Sequence, residues 1–260
     1  VESLLPLRGQ RLIDLGCGYG RLFDCYADRF SEIVLFDGSE SLLRSAQHNT
    51  NGKAIYVLGD INHLPFLPAA FDAALMVRVF HHINEPAECL GEIQRILCGD
   101  GKFVMNYSNK RNILRIVQYL LKRIPHNPFS HETLTLEANF FHHHPATVSG
   151  LLSASGFEKS ILRGAGVLDK FVSVFGSLGR FIPRGILLAP LFGALSLAPW
   201  IFCGTRTHKI DPLYAASSVI ELLACPRCIS SLIQTETVFV CEKCGRKYPN
   251  RDGIIDLRYS

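Results

Sequence analysis

Three glycines within five residues follow the first apolar run of this 260-residue chain. Residues 11–15 are predicted to form a short buried strand, and Gly16, Gly18 and Gly20 stand in the turn that follows it. Glycine lets the backbone approach a ligand closely, and the start of a helix beyond such a turn offers free N–H groups. The turn therefore predicts a site for a nucleotide-like ligand at the end of a central strand.

Strand-length apolar runs alternate with helix-like segments along most of the chain. The predicted strands are 11–15, 33–36, 54–58, 71–77, 102–107, 157–162 and 200–205, and the predicted helices are 21–30, 40–48, 85–97, 111–123 and 145–155. Such alternation is typical of a parallel sheet with helices on both faces. We expect an α/β fold with a doubly wound, mostly parallel sheet of seven strands.

The composition sets wide limits on partners and location. A formal net charge of +4 permits nucleic acid as a partner without arguing for it. Four of the nine cysteines form two C-x-x-C pairs and the others are scattered, which favours a reducing cytoplasm and one metal site over a disulfide framework. Residues 186–203 carry no charge. This segment has three interpretations: a buried or substrate-facing segment, an interfacial element, or a membrane span.

The glycine spacing does not suit a dinucleotide, because G-x-G-x-x-G counted from Gly16 places Arg21 at the last glycine. Instead, residues 14–20, Asp-Leu-Gly-Cys-Gly-Tyr-Gly, resemble the first motif of class I methyltransferases. Asp37 and Gly59-Asp60-Ile61 continue the same resemblance at the ends of the next two strands. Five later landmarks resemble the subgroup that contains quinone-biosynthesis methyltransferases: Leu64-Pro65-Phe66, Phe71-Asp72, His81-His82-Ile83, Arg95-Ile96-Leu97 and Gly99-Asp100-Gly101. Cys98-Gly99-Asp100 departs from the usual K-P-G turn of that subgroup.

The resemblance implies a Rossmann-like methyltransferase domain with S-adenosylmethionine as its cofactor. In that family an acidic residue at the position of Asp37 binds the ribose hydroxyls. The segment at the position of Gly59-Asp60-Ile61 recognises the adenine. The implied cofactor-binding residues are Asp14, Gly16, Cys17, Gly18, Gly20, Asp37, Gly38, Asp60, Ile61 and Arg78. A domain of the same fold that has lost its ligand is the alternative.

The sulfonium of S-adenosylmethionine is already reactive, so the protein mainly has to align the acceptor and to exclude water. A hydroxyl or carbon acid additionally needs a base at the carboxyl ends of the strands. The candidates there are His82 and His81, after the fourth strand, and Tyr107, at the end of the fifth. The N-P-P-Y tetrapeptide of methyltransferases that act on exocyclic amines and glutamine amides is absent, since residues 77–80 are Val-Arg-Val-Phe.

Three consecutive histidines, 142–144, precede Pro145. Consecutive side chains point in different directions, so they rarely converge on one metal ion. A substrate-facing loop, a plain helix entry and a metal site are the three interpretations.

The C-terminal region contains Cys225, Cys228, Cys241 and Cys244, with twelve residues between the two pairs. Two such pairs bring four thiolates into a tetrahedron, which predicts a structural Zn²⁺. A redox role for the pairs and a vacant site are the alternatives. A closed metal site would stabilise a unit too small to bury a sufficient core of its own.

Two segments beside these cysteines, 222–226 and 248–257, resemble the L-L-x-C-P and Y-P-x-x-D-G-I-P elements of the Trm112-like family, with Ile255 in place of the usual proline. Members of that family bind and stabilise methyltransferases that modify transfer RNA, ribosomal RNA and release factors. The resemblance implies a built-in stabilising unit, and an independent tethered bead is the alternative. We expect Ile254, Ile255 and Leu257 to pack against the catalytic domain, because an exposed apolar patch usually marks a contact surface.

These patterns predict a methyltransferase domain over 1–210, a linker over 211–218 and a zinc ribbon over 219–260. The expected function is methylation of a small or lipophilic acceptor by a cytoplasmic enzyme. Residues 186–203 are the segment through which a membrane contact would occur. A methyltransferase of a translation component and a non-catalytic cofactor-binding protein are the alternatives.

Overall fold

The computed structural model describes residues 1–158, 160–165, 195–207 and 218–259. The helices are α1 (Glu40–Asn49), α2 (Pro86–Ile96), α3 (Ile113–Leu120) and α4 (Pro145–Ala154). The strands are β1 (Gly9–Leu15), β2 (Phe30–Asp37), β3 (Ile55–Leu58), β4 (Phe71–Met76), β5 (Leu97–Ser108), β6 (Leu134–Glu137), β7 (Phe140–His142), β8 (Ile161–Ala165), β9 (Trp200–Arg206), β10 (Leu232–Gln234), β11 (Val238–Cys241), β12 (Lys247–Arg251) and β13 (Ile254–Asp256).

The predicted doubly wound sheet is confirmed, with the strand order β3-β2-β1-β4-β5-β9-β8. Strands β1 to β5 are parallel, and β9 is antiparallel to both of its neighbours, β5 and β8. Because the first five strands are parallel, the residues that follow each of them meet at one edge of the sheet. We call this the carboxyl edge.

Side chains alternate between the two faces of the sheet, as the period of a strand requires. In β1, Leu12 packs with Phe23 and Leu43 on one face. Ile13 belongs to the larger core on the opposite face. Helix α2 covers that larger core with Cys89, Leu90, Ile93 and Ile96, spaced three and four residues apart, as expected for an amphipathic helix.

The predicted helix over 21–30 is wrong. The segment instead forms two 3₁₀ turns, Phe23–Cys25 and Ala27–Arg29, closed by bonds from each N–H to the carbonyl three residues earlier. Only nine residues separate Gly20 from β2, which starts at Phe30, and both Phe23 and Tyr26 are buried. The tighter turn keeps these two rings, three residues apart, on the same side of the backbone.

The sheet also continues beyond the seven predicted strands, to eleven, because β13 pairs in parallel with β3. The hydrogen-bonded order runs from the C-terminal hairpins β10-β11-β12-β13 into the sheet that contains β1 to β5. Strand β3 would otherwise be an open edge with unpaired backbone groups. Ile254, Ile255 and Leu257 are at most 3% exposed there, as the sequence predicts.

Two further contacts join the C-terminal region to the sheet. The backbones of Phe66 and Leu223 form an antiparallel bridge, and the Leu67 N–H donates to the Leu222 carbonyl at 2.8 Å. Glu32 accepts from the Ser218 hydroxyl at 2.8 Å and from the Val219 N–H, so the last residue of the predicted linker is held against β2.

The predicted linker over 211–217 lies outside the described residues, as does the apolar run from 186 to 194. In the part of the chain that the structure describes, none of the helices combines the length and the apolar character needed to cross a membrane.

Candidate functional site

The glycine turn lies on the carboxyl edge, at the end of β1. The N–H groups of Gly16 and Cys17 both donate to the Phe36 carbonyl, at 2.8 and 3.1 Å, which fixes the turn to the end of β2. Gly16, Gly18 and Gly20 have φ of 69°, 57° and 78°, a backbone region that favours glycine. A Cβ at Gly16 would lie 2.3 Å from the Val79 side chain, whereas one at Gly18 would meet nothing within 4 Å. The turn is therefore packed on one side and open at Gly18.

Asp37 ends β2 directly beside this opening. Its Oδ2 accepts from the Gly18 N–H and its Oδ1 from the Ser39 N–H, both at 2.9 Å. A carboxylate has about four lone-pair positions, so each oxygen keeps capacity for another donor. The two backbone bonds fix the orientation of the carboxylate, and the remaining capacity suits a pair of ribose hydroxyls.

Asp14 lies beneath the turn rather than in the opening. Its side chain is 2% exposed and accepts from the Tyr26 hydroxyl at 2.6 Å. Burial raises the pKa of Asp14 to about 7. The adjacent Cys17 thiol is also buried, and burial raises its pKa. These two residues support the turn, and neither offers a free charged group to a ligand at low pH.

The turn after β3 carries the residues expected to read adenine. Asp60 is exposed, and its Oδ1 accepts from the Asn62 N–H at 2.9 Å. Ile61 is half-buried and packs against the main core. The nearest atom to a Cβ added at Gly38 would be the Gly59 carbonyl at 3.6 Å, so the turns after β2 and β3 are neighbours.

The C-terminal tail reaches the same place, because β13 runs parallel to β3. The Leu257 N–H donates to the Leu58 carbonyl at 2.8 Å. Two residues later, the Tyr259 ring stacks on His63 with centroids 3.9 Å apart and 24° between the planes. His63 is tied to Asp60 by a backbone bond of 3.0 Å. No local pattern in the sequence predicts this contact. It results from the parallel pairing of β13 with β3, which carries the tail to the turn after β3.

Arg78 follows β4 with φ of 64°, and its N–H donates to the Asn106 amide oxygen at 2.6 Å. The side chain is exposed, and its guanidinium carbon lies 6.0 Å from the centre of the Trp200 ring. This cation–π contact directs Arg78 toward the ends of β5 and β9.

The three candidate bases differ in their surroundings. His82 is exposed, and its Nδ1 lies 2.7 Å from the Asn139 carbonyl. Since a carbonyl only accepts, Nδ1 is the donor in this contact, which leaves Nε2 as the acceptor in the neutral ring. His81 is 4% exposed, its Nδ1 has no partner, and burial lowers its pKa to about 4. Tyr107 is 1% exposed within the apolar core, and burial raises its pKa, so the structure argues against Tyr107 as a base.

Trp200, which no local pattern assigned to the site, lies with Phe140 beside His81. The ring centroids of Phe140 and Trp200 lie 4.5 and 5.2 Å from that of His81. Phe140 is on the β6–β7 hairpin and Trp200 starts β9, where it pairs with Ser108 of β5. Only the tertiary fold brings these residues to the end of β4.

The histidines at 142–144 do not converge on a metal. His142 bonds to the Ser108 hydroxyl at 2.7 Å and to Arg115 at 3.3 Å. His143 is 2% exposed with both ring nitrogens unpartnered, and burial lowers its pKa to about 4. The His144 Nδ1 accepts from the Ala146 N–H at the start of α4, which is a helix entry. Among the described residues, the geometry of a metal site is met only by the four cysteines.

The sulfur atoms of Cys225, Cys228, Cys241 and Cys244 all lie within 4.8 Å of one another. Four sulfurs at about 2.3 Å from a central Zn²⁺ are about 3.8 Å apart in a tetrahedron. The Cys225–Cys244 and Cys228–Cys241 distances are 3.8 and 3.5 Å. The Tyr248 hydroxyl lies 3.1 Å from the Cys225 sulfur, where it can donate to a thiolate. The donor set fits a structural zinc.

Comparisons with known proteins agree with both regions. Residues 13–105 match the family described as a methyltransferase domain, and residues 217–253 match the Trm112p-like family. A demethylmenaquinone methyltransferase of Renibacterium salmoninarum is 30% identical over 105 residues, which is 40% of this chain and 44% of that protein. A ubiquinone biosynthesis O-methyltransferase of Thiobacillus denitrificans is 24% identical over 173 residues, which is 63% of this chain and 71% of that protein. The chain spans only 32% to 50% of the length of the first three curated relatives.

Solved structures share the fold at low sequence identity. An S-adenosylmethionine-dependent methyltransferase from Mesorhizobium loti has a TM-score of 0.55 and 18% identity, over 78% of this chain and 94% of that one. A chain from the complex of the Haloferax volcanii Trm112 methyltransferase activator has a TM-score of 0.57 and 17% identity, over 80% of this chain and 87% of that one. These solved structures show that the fold is one found in S-adenosylmethionine-dependent methyltransferases, and the two family matches cover residues 13–105 and 217–253.

Proposed function

We propose that this protein transfers a methyl group from S-adenosylmethionine to a small, lipophilic acceptor. The observation that carries the proposal is the orientation of Asp37, whose carboxylate is held by the Gly18 and Ser39 N–H groups beside the open face of the glycine turn. A carboxylate fixed in this way is ready for two hydroxyl donors. The matched methyltransferase family and the relatives named for quinone substrates support the same function.

The cofactor supplies a methyl group on an electrophilic sulfonium. In our proposal Asp37 binds the ribose hydroxyls, and the backbone at Gly16, Gly18 and Gly38 forms the wall beside them. Asp60 would accept from the adenine amine, and Ile61 would offer an apolar surface to the ring. Gly20 and Cys17 shape the turn, Asp14 supports it from below, and Arg78 lies at its far side, toward Trp200.

The acceptor would lie beside the ends of β4, β5 and β9. Phe140 and Trp200 offer aromatic surface there, which suits a lipophilic ring. Of the candidate bases, we assign proton removal to His82, because it is exposed and its Nε2 keeps a lone pair. His81, which is buried with a lowered pKa, is assigned to holding the acceptor.

Methylation of a translation component is the second candidate. The Trm112p-like match favours it, since the solved relative named above comes from a complex of a methyltransferase activator of that family. In this chain, however, the Trm112-like region is already paired with β3. A unit whose contact strand is used within its own chain needs no external methyltransferase, so this region is better explained as a built-in support.

We further propose that the boundaries are a catalytic domain over 1–210, a linker over 211–218 and a zinc ribbon over 219–260. Support comes from the four convergent cysteines. Leu222, Leu223 and Tyr248 share one core with Phe66, so the ribbon is docked rather than separate. Ser218 and Val219, on the two sides of the second boundary, both donate to Glu32.

Incubation with radiolabelled cofactor, followed by separation of lipid, RNA and protein fractions of a cell extract, tests the acceptor class. We expect label in the lipid fraction with the natural chain and with Asp28→Ala, which removes an exposed carboxylate away from the site. Asp37→Ala should abolish it. Label confined to RNA or protein would replace the lipophilic acceptor with the second candidate, and label in no fraction would argue for a binding protein.

A further inference from the structure

Helix α3 exposes an apolar surface that the proposed function does not use. None of its eight residues is fully buried, although five of them are Ile, Leu or Val. Val117, Leu120 and the adjoining Leu121 are 45%, 68% and 57% exposed. Their spacing of three and four residues places them on one side of the helix. Phe129 is 46% exposed and lies beside Tyr119. We call Val117, Leu120, Leu121 and Phe129 the α3 surface.

The chain along α3 is basic, while the exposed Glu132 lies three residues beyond Phe129. Residues 110–127 contain five lysines and arginines and no aspartate or glutamate. Lys122 and Arg123 are exposed and line one hollow with Tyr119 and Leu120. Apolar and cationic groups are therefore mixed within a few residues, as in helices that lie in the interface of a bilayer.

We propose that the α3 surface binds an anionic lipid bilayer, with Leu120 and Leu121 inserted among the acyl chains and Lys122 and Arg123 among the headgroups. A second copy of this chain is a poorer occupant, because two such surfaces repel each other and four side chains are far fewer than a stable interface needs. RNA would satisfy the cations and leave the leucines in water. Only a lipid surface satisfies both kinds of group.

The surface is also connected to the candidate site. Arg115 of α3 bonds to His142, and the Ile113 N–H at the start of the helix donates to the Leu197 carbonyl, three residues before Trp200. Binding at α3 would thus place the ends of β5 and β9 close to the bilayer. This last consequence rests on the proposed function, whereas the binding itself does not.

Co-sedimentation of the full chain with vesicles of phosphatidylglycerol and phosphatidylcholine in equal amounts tests the proposal without any methyl transfer. The variant Leu120→Ser/Leu121→Ser should bind at least about tenfold more weakly. Lys122→Gln/Arg123→Gln should bind the vesicles about fivefold more weakly for each charge removed. Salt at about 0.5 M screens surface charge, so this variant and the natural chain should then bind equally.

The matched control is Ile161→Ser/Ile233→Ser, which replaces two isoleucines on β8 and β10 that are 56% and 53% exposed. It should bind vesicles like the natural chain, and all variants should keep the natural melting temperature. Equal vesicle binding by the leucine variant overturns the proposal. So does equal binding to pure phosphatidylcholine, a leucine-dependent dimer in sedimentation equilibrium, or a leucine-dependent shift of RNA in a gel.

Discussion

The two halves of the carboxyl edge hold their polar groups in different ways. At the ends of β1 to β3, the Asp37 carboxylate and the glycine turn are bonded to neighbouring backbone groups. At the ends of β4 and β5, the buried rings of His81 and His143 leave three nitrogens without a partner, whereas the described turns after β1 to β3 leave one such atom, the Asn62 amide oxygen. An unpaired buried polar group costs about 1–3 kcal/mol, so it persists best where a ligand can pair with it. On the proposed function, we call the ends of β1 to β3 the cofactor half and the ends of β4 and β5 the acceptor half. The first is preorganised, and the second keeps more unused hydrogen-bonding capacity.

The largest expected effect comes from removing the support under the cofactor half. Cys241→Ser should prevent zinc binding, unfold the ribbon and detach β13 from β3, since a structural zinc contributes directly to folding. Exposure of Ile254, Ile255 and Leu257 to solvent should lower the melting temperature of the proposed catalytic domain by on the order of 10 °C. Differential scanning fluorimetry measures the shift, and native mass spectrometry should find one zinc per natural chain.

Cys25→Ser, outside the cysteine cluster, is the control and should keep both the zinc and the melting temperature. A chain that ends at residue 218 should behave like Cys241→Ser. If that truncated chain melts like the natural one and binds the cofactor equally well, the ribbon does not support the cofactor half.

Asp37→Ala should weaken cofactor binding by about 1.5–3 kcal/mol, because charge-assisted hydrogen bonds to the ribose are lost. The Gly18 and Ser39 N–H groups also lose their acceptor. Calorimetric titration with S-adenosylmethionine measures the loss, and Asp28→Ala serves as the control. Unchanged affinity would remove Asp37 from the cofactor site.

Asp14→Asn tests whether the support under the turn depends on pH. The folded pKa of Asp14 is raised to about 7, so its stabilising contribution is complete below its unfolded pKa and falls as the pH rises toward 7. An asparagine keeps an acceptor for Tyr26 and does not titrate. The stability of the variant relative to the natural chain should therefore rise by about 2 kcal/mol between pH 5.5 and pH 8, measured by urea unfolding. A constant difference across that range would contradict the raised pKa.

His143→Phe tests the unused capacity of the acceptor half. Removing two buried unpaired nitrogens should stabilise the fold by about 1–2 kcal/mol at neutral pH. The gain should grow as the pH falls from 6.5 toward 4, because the folded pKa of His143 is lowered to about 4 and the unfolded chain takes up the proton first. The same change should lower kcat/KM for the acceptor and leave cofactor affinity unchanged.

The matched control for that experiment is His126→Phe, at an exposed position. A His143→Phe variant that is more stable and fully active would show that the buried imidazole is not used by the acceptor.

The smallest effect concerns the tail of the ribbon. Tyr259→Ala removes the ring stacked on His63 and should weaken cofactor binding by about 0.5–1 kcal/mol, with little change in the melting temperature. Phe129→Ala removes an exposed ring far from this turn and provides the comparison in calorimetry. Equal affinities would confine the contribution of the ribbon to stability.

Local patterns predicted the cofactor half better than the acceptor half, for a physical reason. Gly16 and Gly18 follow the end of β1 and Asp37 ends β2, and parallel strands bring their ends together without further information. His143 and Trp200 instead reach β4 through a hairpin and an antiparallel strand, whose positions depend on long-range packing. The failed helix over 21–30 has the same origin, since burial of Phe23 and Tyr26 outweighed a weak local preference.

By itself, the sequence determined the alternating sheet, the glycine turn, the acidic residue at the end of β2 and the four metal-ligand cysteines, because each depends on spacing along a few residues. The tertiary structure decided that Tyr107 is buried, that His81 lies among Phe140 and Trp200, and that β13 completes the edge of β3. These outcomes depend on contacts between segments that are far apart in the sequence. Such contacts are determined by the packing of the whole chain and not by any local pattern.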